Sequence, residues 1–273
     1  MNKIIILGYG VVGQNIYNEL KPLKPDVYDK YKTQYNTVTP ETADTYDFAF
    51  ICVDTLFINP TYNPCDLSQI RDCLNNFDAR VYVIKSTILP GMTENLIEET
   101  DKNIIFSPEY YGGTQHCNNF DFDFTILGGE EEYCRVTVQL LQEVYDARHR
   151  FFIVDSRIAE LAKYMENSWL AMKVCFCNQF YDIAQQVGVS YEKLRELFIL
   201  DPRINPSHTF VYANHPYYDS HCLNKDIPAI AAWAEAPLLD YIIQFNNERK
   251  AHFEAQQAAR PASSEKIGPI NIS

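Results

Sequence analysis

No stretch of this sequence approaches the roughly eighteen consecutive apolar residues that a membrane-crossing helix needs, so residence in a membrane is not expected. The opening apolar run, Lys3–Leu7, is short, lacks a small-residue cleavage site and leads straight into glycines; it reads as part of the fold and not as an export signal. Positive charge is scarce. Against 36 Asp and Glu there are 23 Lys and Arg, and the formal net charge of −13 opposes non-specific attraction to nucleic acid. Any polyanionic ligand must therefore meet a local basic site. Paired CxxC motifs are missing, and Cys175-x-Cys177 and His221-Cys222 lack zinc-ligand spacing, so no metal is expected. Without a secretory signal, the eight cysteines read as thiols in a reducing compartment, which makes the cytoplasm the expected location. An internal repeat is absent too, which sets repeat architectures aside.

What is present is alternation. Lys3–Leu7, Asp26–Tyr28, Phe48–Val53, Val81–Ile84, Ile104–Phe106, Thr125–Leu127 and Phe151–Val154 have the composition of strands, and Val11–Leu20, Asp66–Phe77, Thr93–Glu99 and Glu131–Tyr145 have helical patterning. Such alternation predicts an α/β fold in which crossover helices flank a doubly wound parallel sheet of Rossmann type, over residues 1–155. From Ser156 a helical pattern runs to Val187, with Gly188 as its stop and Ser190 capping the next helix. Leu161, Met165, Trp169, Phe176 and Phe180 make this helix apolar on more than one side, which predicts a helical domain, residues 156–257, that also forms a subunit interface and hence a homodimer. Further helices are expected at Lys225–Glu235 and Leu238–Gln256, and residues 258–273 read as a polar tail.

Gly8-Tyr9-Gly10-Val11-Val12-Gly13 follows a predicted strand and opens a predicted helix, the context in which a GxGxxG turn binds a dinucleotide. The first glycine permits the turn, the second admits the pyrophosphate, and the third lets helix and strand pack closely. Asp29 ends the second predicted strand, where a carboxylate accepts from a ribose diol and repels a 2′-phosphate; NAD is thus favoured over NADP, with Lys30 and Lys32 close by and acting against that preference.

Two further features can carry chemistry. Cys222 stands in His221-Cys222-Leu223-Asn224-Lys225-Asp226, where Lys225 and the amides of the following helix favour a thiolate able to attack an aldehyde; a lone cysteine is more often a small core residue. Glu160, Lys163 and Asn167 recur at i, i+3 and i+7 along one helix face, where a cation and an amide can address a developing oxyanion, or where a solvated face would look the same.

In this order the GYGVVG turn, Phe50-Ile51-Cys52-Val53-Asp54-Thr55, Lys85-Ser86-Thr87-Ile88-Leu89-Pro90-Gly91, Ser107-Pro108-Glu109-Tyr110, the Ala159–Asn167 helix, Asp201-Pro202-Arg203-Ile204 and Cys222–Asp226 resemble the UDP-glucose/GDP-mannose dehydrogenase family. The resemblance implies oxidation of a nucleotide sugar's primary alcohol to the acid by two hydride transfers to NAD. It makes Cys222 the nucleophile of a thiohemiacetal and thioester, gives Lys163 and Asn167 the oxyanion, and gives Asp226 general-base assistance. Thr87 and Glu109 join a water and proton network, and Arg203 reaches the substrate across a dimer. Val53, Asp54, Thr55, Ser86 and Thr87 are expected at the cofactor with the glycine turn and Asp29, and Glu109, Lys163, Asn167, Arg203 and Lys225 at the substrate.

The sequence also departs from the family. Gly113 stands where the family has a second active-site acid, Tyr218-Asp219-Ser220-His221 replaces a Phe-Gly-Gly loop, and Asn224 replaces a proline. Full family members continue into a second Rossmann-like domain, whereas this sequence stops first. Two other readings stay open: a dehydrogenase of a smaller alcohol or hydroxy acid, and a catalytically silent dinucleotide-binding protein.

Overall fold

A computed structural model describes residues 2–61, 64–111 and 122–259. Seven strands, β1 (Ile4–Leu7), β2 (Asp26–Tyr28), β3 (Tyr46–Ile51), β4 (Ala79–Ile84), β5 (Ile104–Phe106), β6 (Phe124–Gly128) and β7 (Arg150–Val154), form one sheet in the order β2-β1-β3-β4-β5-β6-β7. The first five are parallel. β6 runs against β5 through the pair Phe106 and Gly128, which corrects the all-parallel expectation, and then pairs parallel with β7.

Strands of this kind are buried on both faces, so they read as continuous apolar runs. Alternate residues nonetheless enter different cores because successive side chains point to opposite faces. Ile5, Leu7, Ala49, Ile51, Tyr82, Ile84 and Phe106 meet α2 (Ser68–Asn76), α3 (Met92–Thr100), the start of α5 (Ser156–Val187) and α7 (His221–Ala234). Ile4, Ile6, Phe48, Phe50, Val81, Val83 and Ile105 meet α1 (Val11–Leu20) and α4 (Glu131–Leu141). Helices on both faces make the sheet doubly wound. The sequence order reverses beside β1, and there the loops after β1, β3, β4 and β5 gather at one carboxyl edge, where ligands of open α/β sheets bind.

The chain divides into two compact units, residues up to Leu170 with Ser220–Leu239, and Ala171–Asp219 with the segment from Asp240. The sheet ends at Val154, whereas the unit boundary falls within α5, after Leu170. In the second unit α6 (Tyr191–Phe198) follows the Ser190 cap, whose hydroxyl accepts from the Lys193 amide. Cys177, Ala184 and Tyr191 form a small core there. Asn246 of α8 (Pro237–Ala258) brackets Tyr218, accepting from its amide at 2.8 Å and donating to its carbonyl at 3.0 Å. Arg249 donates to the Pro216 carbonyl and to Asp182, and this fastens the irregular stretch before α7. Most of the expected polar tail lies outside the described residues. No described helix is long and apolar enough to cross a membrane.

Candidate active site

The glycine turn is fixed by two contacts that only glycine tolerates. Gly8 has φ of 93°, and a Cβ there would stand 2.8 Å from the Cys52 carbonyl oxygen; a Cβ on Gly13 would stand 1.9 Å from the Gly8 carbonyl oxygen. Gly10, by contrast, faces open space and caps α1, leaving the amides of its first turn available to a phosphate. Gly8, Gly10, Asp29, Val53 and Asp54 line one cavity of about 280 Å3.

Asp29 holds this turn together. One carboxylate oxygen accepts from the Tyr9 amide at 2.6 Å, and the other accepts from the amides of Tyr31 and Lys32 at 2.8 and 2.7 Å. Burial works against its charge, but these bonds and the Lys32 ammonium outweigh it and hold the carboxyl below its ordinary range. Lys30 is drawn to Asp72 at 2.8 Å, and Lys32 donates to the Tyr9 carbonyl at 3.1 Å. The residues of this pocket thus fit a dinucleotide whose ribose is unphosphorylated: open amides for the pyrophosphate and a charged carboxylate for the diol.

The loops after β3 and β4 are bonded to each other. Ser86 Oγ donates to the Val53 carbonyl at 2.6 Å, and Thr55 Oγ1 donates to the Thr87 carbonyl at 2.6 Å. Into this frame α7 brings its first turn. Ser220 caps it through the Leu223 amide, so the helix begins at His221, before the expected Lys225, and Cys222 lies inside the helix. Lys225 Nζ donates to Asp226 Oδ1 at 2.6 Å and lies 3.3 Å from Thr55 Oγ1. Asn167 Nδ2 of α5 donates to Asp226 Oδ2 at 2.8 Å. Each oxygen of this buried carboxylate therefore accepts one donor and keeps a lone pair for another.

These contacts correct the expected thiolate. Burial, and then the carboxylates of Asp226 and Glu109, push the Cys222 thiol up against the opposing pull of Lys225 and Lys163. Lys225 spends its charge on Asp226. The surroundings of Cys222 thus favour the thiol over the thiolate, and Lys225 is tied to its helical neighbour instead of lying free for a substrate.

Lys163 lies 2.8 Å from Glu166 Oε2 and 4.9 Å from the centre of the Tyr110 ring. Burial alone would depress its ammonium, but Glu166, Glu109 and Asp226 together raise it, so it is a cation. Glu109 is pushed up by burial, against the pull of Lys163 and the Tyr111 amide that donates to it at 2.7 Å. Glu166 went unnoticed in the sequence, although its i,i+3 spacing from Lys163 is a helical ion-pair signal. The link between His221 Nε2 and Asp54 Oδ1, 3.0 Å, has no local sequence signal at all.

Glu160 does not join this group, which corrects its reading from spacing. It is fully buried, and its carboxylate accepts from the Gly91 amide at 2.6 Å and from the Thr93 amide and hydroxyl at 2.9 and 2.6 Å, capping α3. Glu160→Ala should lower stability by on the order of 3 kcal/mol, since it leaves buried donors unpaired and opens a cavity; urea unfolding measures this, and an unchanged midpoint would refute the capping role. Arg203 belongs to the second unit, is exposed, and pairs with Asp201 of its own turn. Gly113 lies outside the described residues.

Fold and site together define a Rossmann-type protein whose glycine turn shares one compact unit with a buried lysine, an asparagine, an aspartate and a cysteine. Residues 157–248 match the family model for the central domain of the UDP-glucose/GDP-mannose dehydrogenase family. It is 28% identical over 229 residues to the GDP-mannose 6-dehydrogenase of Pseudomonas aeruginosa, a match covering 74% of this chain and 51% of that protein. The UDP-N-acetyl-D-mannosamine dehydrogenase of Methanocaldococcus jannaschii is 24% identical over 250 residues, covering 82% of this chain and 56% of its own. Among solved structures, the UDP-D-ManNAc dehydrogenase of Pyrococcus horikoshii shares the fold with a TM-score of 0.76 at 22% identity, covering 94% of this chain and 72% of that one. The chain spans about half the length of the curated relatives it matches.

Proposed function

We propose that this chain oxidises the primary alcohol of a nucleotide sugar to the acid, with NAD as the hydride acceptor and Cys222 as the covalent anchor. The observation that carries this reading is that Lys163, Asn167, Cys222 and Asp226 belong to one compact unit with the glycine turn. The family match and the names of the relatives, dehydrogenases of nucleotide sugars, supply the substrate class.

When bound, the dinucleotide supplies the acceptor for the hydride that leaves the carbinol carbon in each of two oxidations. Lys163, held cationic by its neighbouring carboxylates, and Asn167 donate to the oxygen that gains charge as the hydroxyl proton departs. In the aldehyde stage the Cys222 sulfur forms a bond to the carbonyl carbon while its proton passes to Asp226. After the second oxidation, water adds to the thioester carbon, the C–S bond breaks, and the thiol is regenerated with the acid. Glu109 and Thr87 order that water.

The same reading makes the protein a homodimer through α5. Met165 and Trp169, 74% and 54% exposed, and Phe176 and Phe180, 48% and 40% exposed, leave apolar surface open along this helix. Equilibrium sedimentation should give twice the chain mass.

The decisive assay follows absorbance of reduced nicotinamide while NAD is mixed with UDP-glucose, UDP-N-acetylhexosamines or GDP-mannose. Two NADH per sugar are expected. One NADH per molecule of a small hydroxy acid, unaffected by Cys222→Ala, would overturn the reading, as would NAD binding without turnover on any alcohol.

A further inference from the structure

Each hydride transfer in the proposed reaction also liberates a proton, and those protons must leave a site that is largely buried. Glu109 feels the charge of two lysines, Lys163 and Lys85, and Lys85, which directly follows β4, shares a cavity lining with it. Lys85 is buried, and its Nζ donates to Ser107 Oγ at 3.0 Å. Glu19 of α1, Cys52 at the end of β3, and Glu109 after β5 are the charged or titratable groups that act on it. Cys52 is a buried thiol pushed far up by burial, so among the described residues the ionic neighbours of Lys85 are the two glutamates. Glu19 in turn receives the hydroxyls of Tyr111 and Tyr145.

Lys85, Glu109, Glu19, Tyr111 and Tyr145 all line one cavity of about 500 Å3, separate from the dinucleotide cavity. At its rim Asp146 and Asp123 are paired with Arg148 and Arg150, each at 2.8 Å. A buried lysine with only a hydroxyl as bonded partner is a costly structural device, because desolvation is repaid only by close, well-placed charges. Burial depresses its ammonium against the pull of Glu19 and Glu109, and a depressed lysine can exchange its proton under ordinary conditions.

We propose that Lys85 is a positioning residue for Glu109 and a proton relay, carrying protons released at the substrate from Glu109 to Glu19 and the water of this second cavity. This rests on the proposed dehydrogenase activity. The transfer balances without further reagents. By way of cavity water, a protonated Glu109 gives its proton to Lys85 in its unprotonated form, the resulting ammonium passes one to Glu19, Glu19 releases it to the water of the cavity, and all three residues return to their starting states.

The test compares wild type with Lys85→Met, Lys85→Ala and Glu19→Gln, all checked for NAD binding. For Lys85→Met, kcat should fall about 10²-fold while NAD affinity is kept, with a larger solvent deuterium isotope effect and a shifted acidic limb of the kcat profile. Ethylamine should restore Lys85→Ala in proportion to its concentration, because the cavity admits a small amine where the side chain was removed. A loss of activity with unaltered pH profile and isotope effect, and no rescue, would overturn the relay. Independently of turnover, the 13Cε resonance of Lys85 should titrate below the surface lysines, and its midpoint should fall further in both Glu19→Gln and Glu109→Gln, since each removes a neighbouring anion. A midpoint that ignores either variant would overturn the relay. A wild type that oxidises no nucleotide sugar, with both midpoint shifts intact, would refute only the activity.

Discussion

Cys222→Ser should leave a protein that begins the oxidation and cannot finish it. Its acid yield is expected to fall by at least about 10³-fold, with NADH per sugar dropping from two toward one. The reason lies in the surroundings of the sulfur. The wild-type thiol keeps its proton because burial and the carboxylates of Asp226 and Glu109 oppose the thiolate, and it reacts by losing that proton as it bonds to the aldehyde. A serine hydroxyl in the same place is a far weaker nucleophile with a still higher pKa, so the aldehyde is not retained. The sign of the pH dependence follows. Thiolate grows as pH rises through a raised pKa, so acid formation by wild type should keep climbing above the range in which an ordinary thiol levels off. Chromatography of the acid against reduced-nicotinamide absorbance makes the measurement, and an unchanged acid yield in Cys222→Ser would remove the cysteine from its role.

Gly13→Ala should have the largest effect on the fold. The added methyl would stand 1.9 Å from the Gly8 carbonyl oxygen, and that atom is backbone, not a flexible side-chain tip. Relief requires α1 to back away from β1, which spoils the turn that presents the amides and the packing of Ile16 and Leu20 in the core below. A loss on the order of 3 kcal/mol is expected, with dinucleotide binding abolished. Gly10→Ala is the control, since a Cβ there meets nothing within 4 Å. That variant should unfold like wild type, and equal unfolding of all three proteins would contradict the close approach.

Much of this was legible in the sequence because it depends on local rules. The glycine turn, Asp29, the strands β2 and β5 and the bounds of α1 and α5 follow from glycine spacing, apolar periodicity and capping residues. The direction of β6 was not legible, since a strand's composition is the same whichever way it runs and the connection before it is long. Glu160 shows a second limit. Helical spacing assigns it to the face that carries Lys163 and Asn167, but it lies about a turn nearer the start of α5, roughly 5 Å along the axis, and there it meets the end of α3 and not the site. The start of α7 was hidden because Asn224 is a poor helix former, and the Ser220 cap outweighed it. The state of Cys222 was illegible for a related reason: Lys225 and Asp226 are visible in the sequence, whereas the burial of the thiol and the influence of Glu109 are fixed only by the fold.

Asp29 is held by three backbone amides before any ligand arrives. Immobilising a side chain on association ordinarily costs about 0.5–1.5 kcal/mol, and here folding has already met that cost. The carboxylate is also unable to swing aside for an ill-matched ribose, because leaving its place would strand the amides of Tyr9, Tyr31 and Lys32. The proposed preference for an unphosphorylated ribose would in this way rest on a rigidity of the backbone as much as on a repulsion between charges.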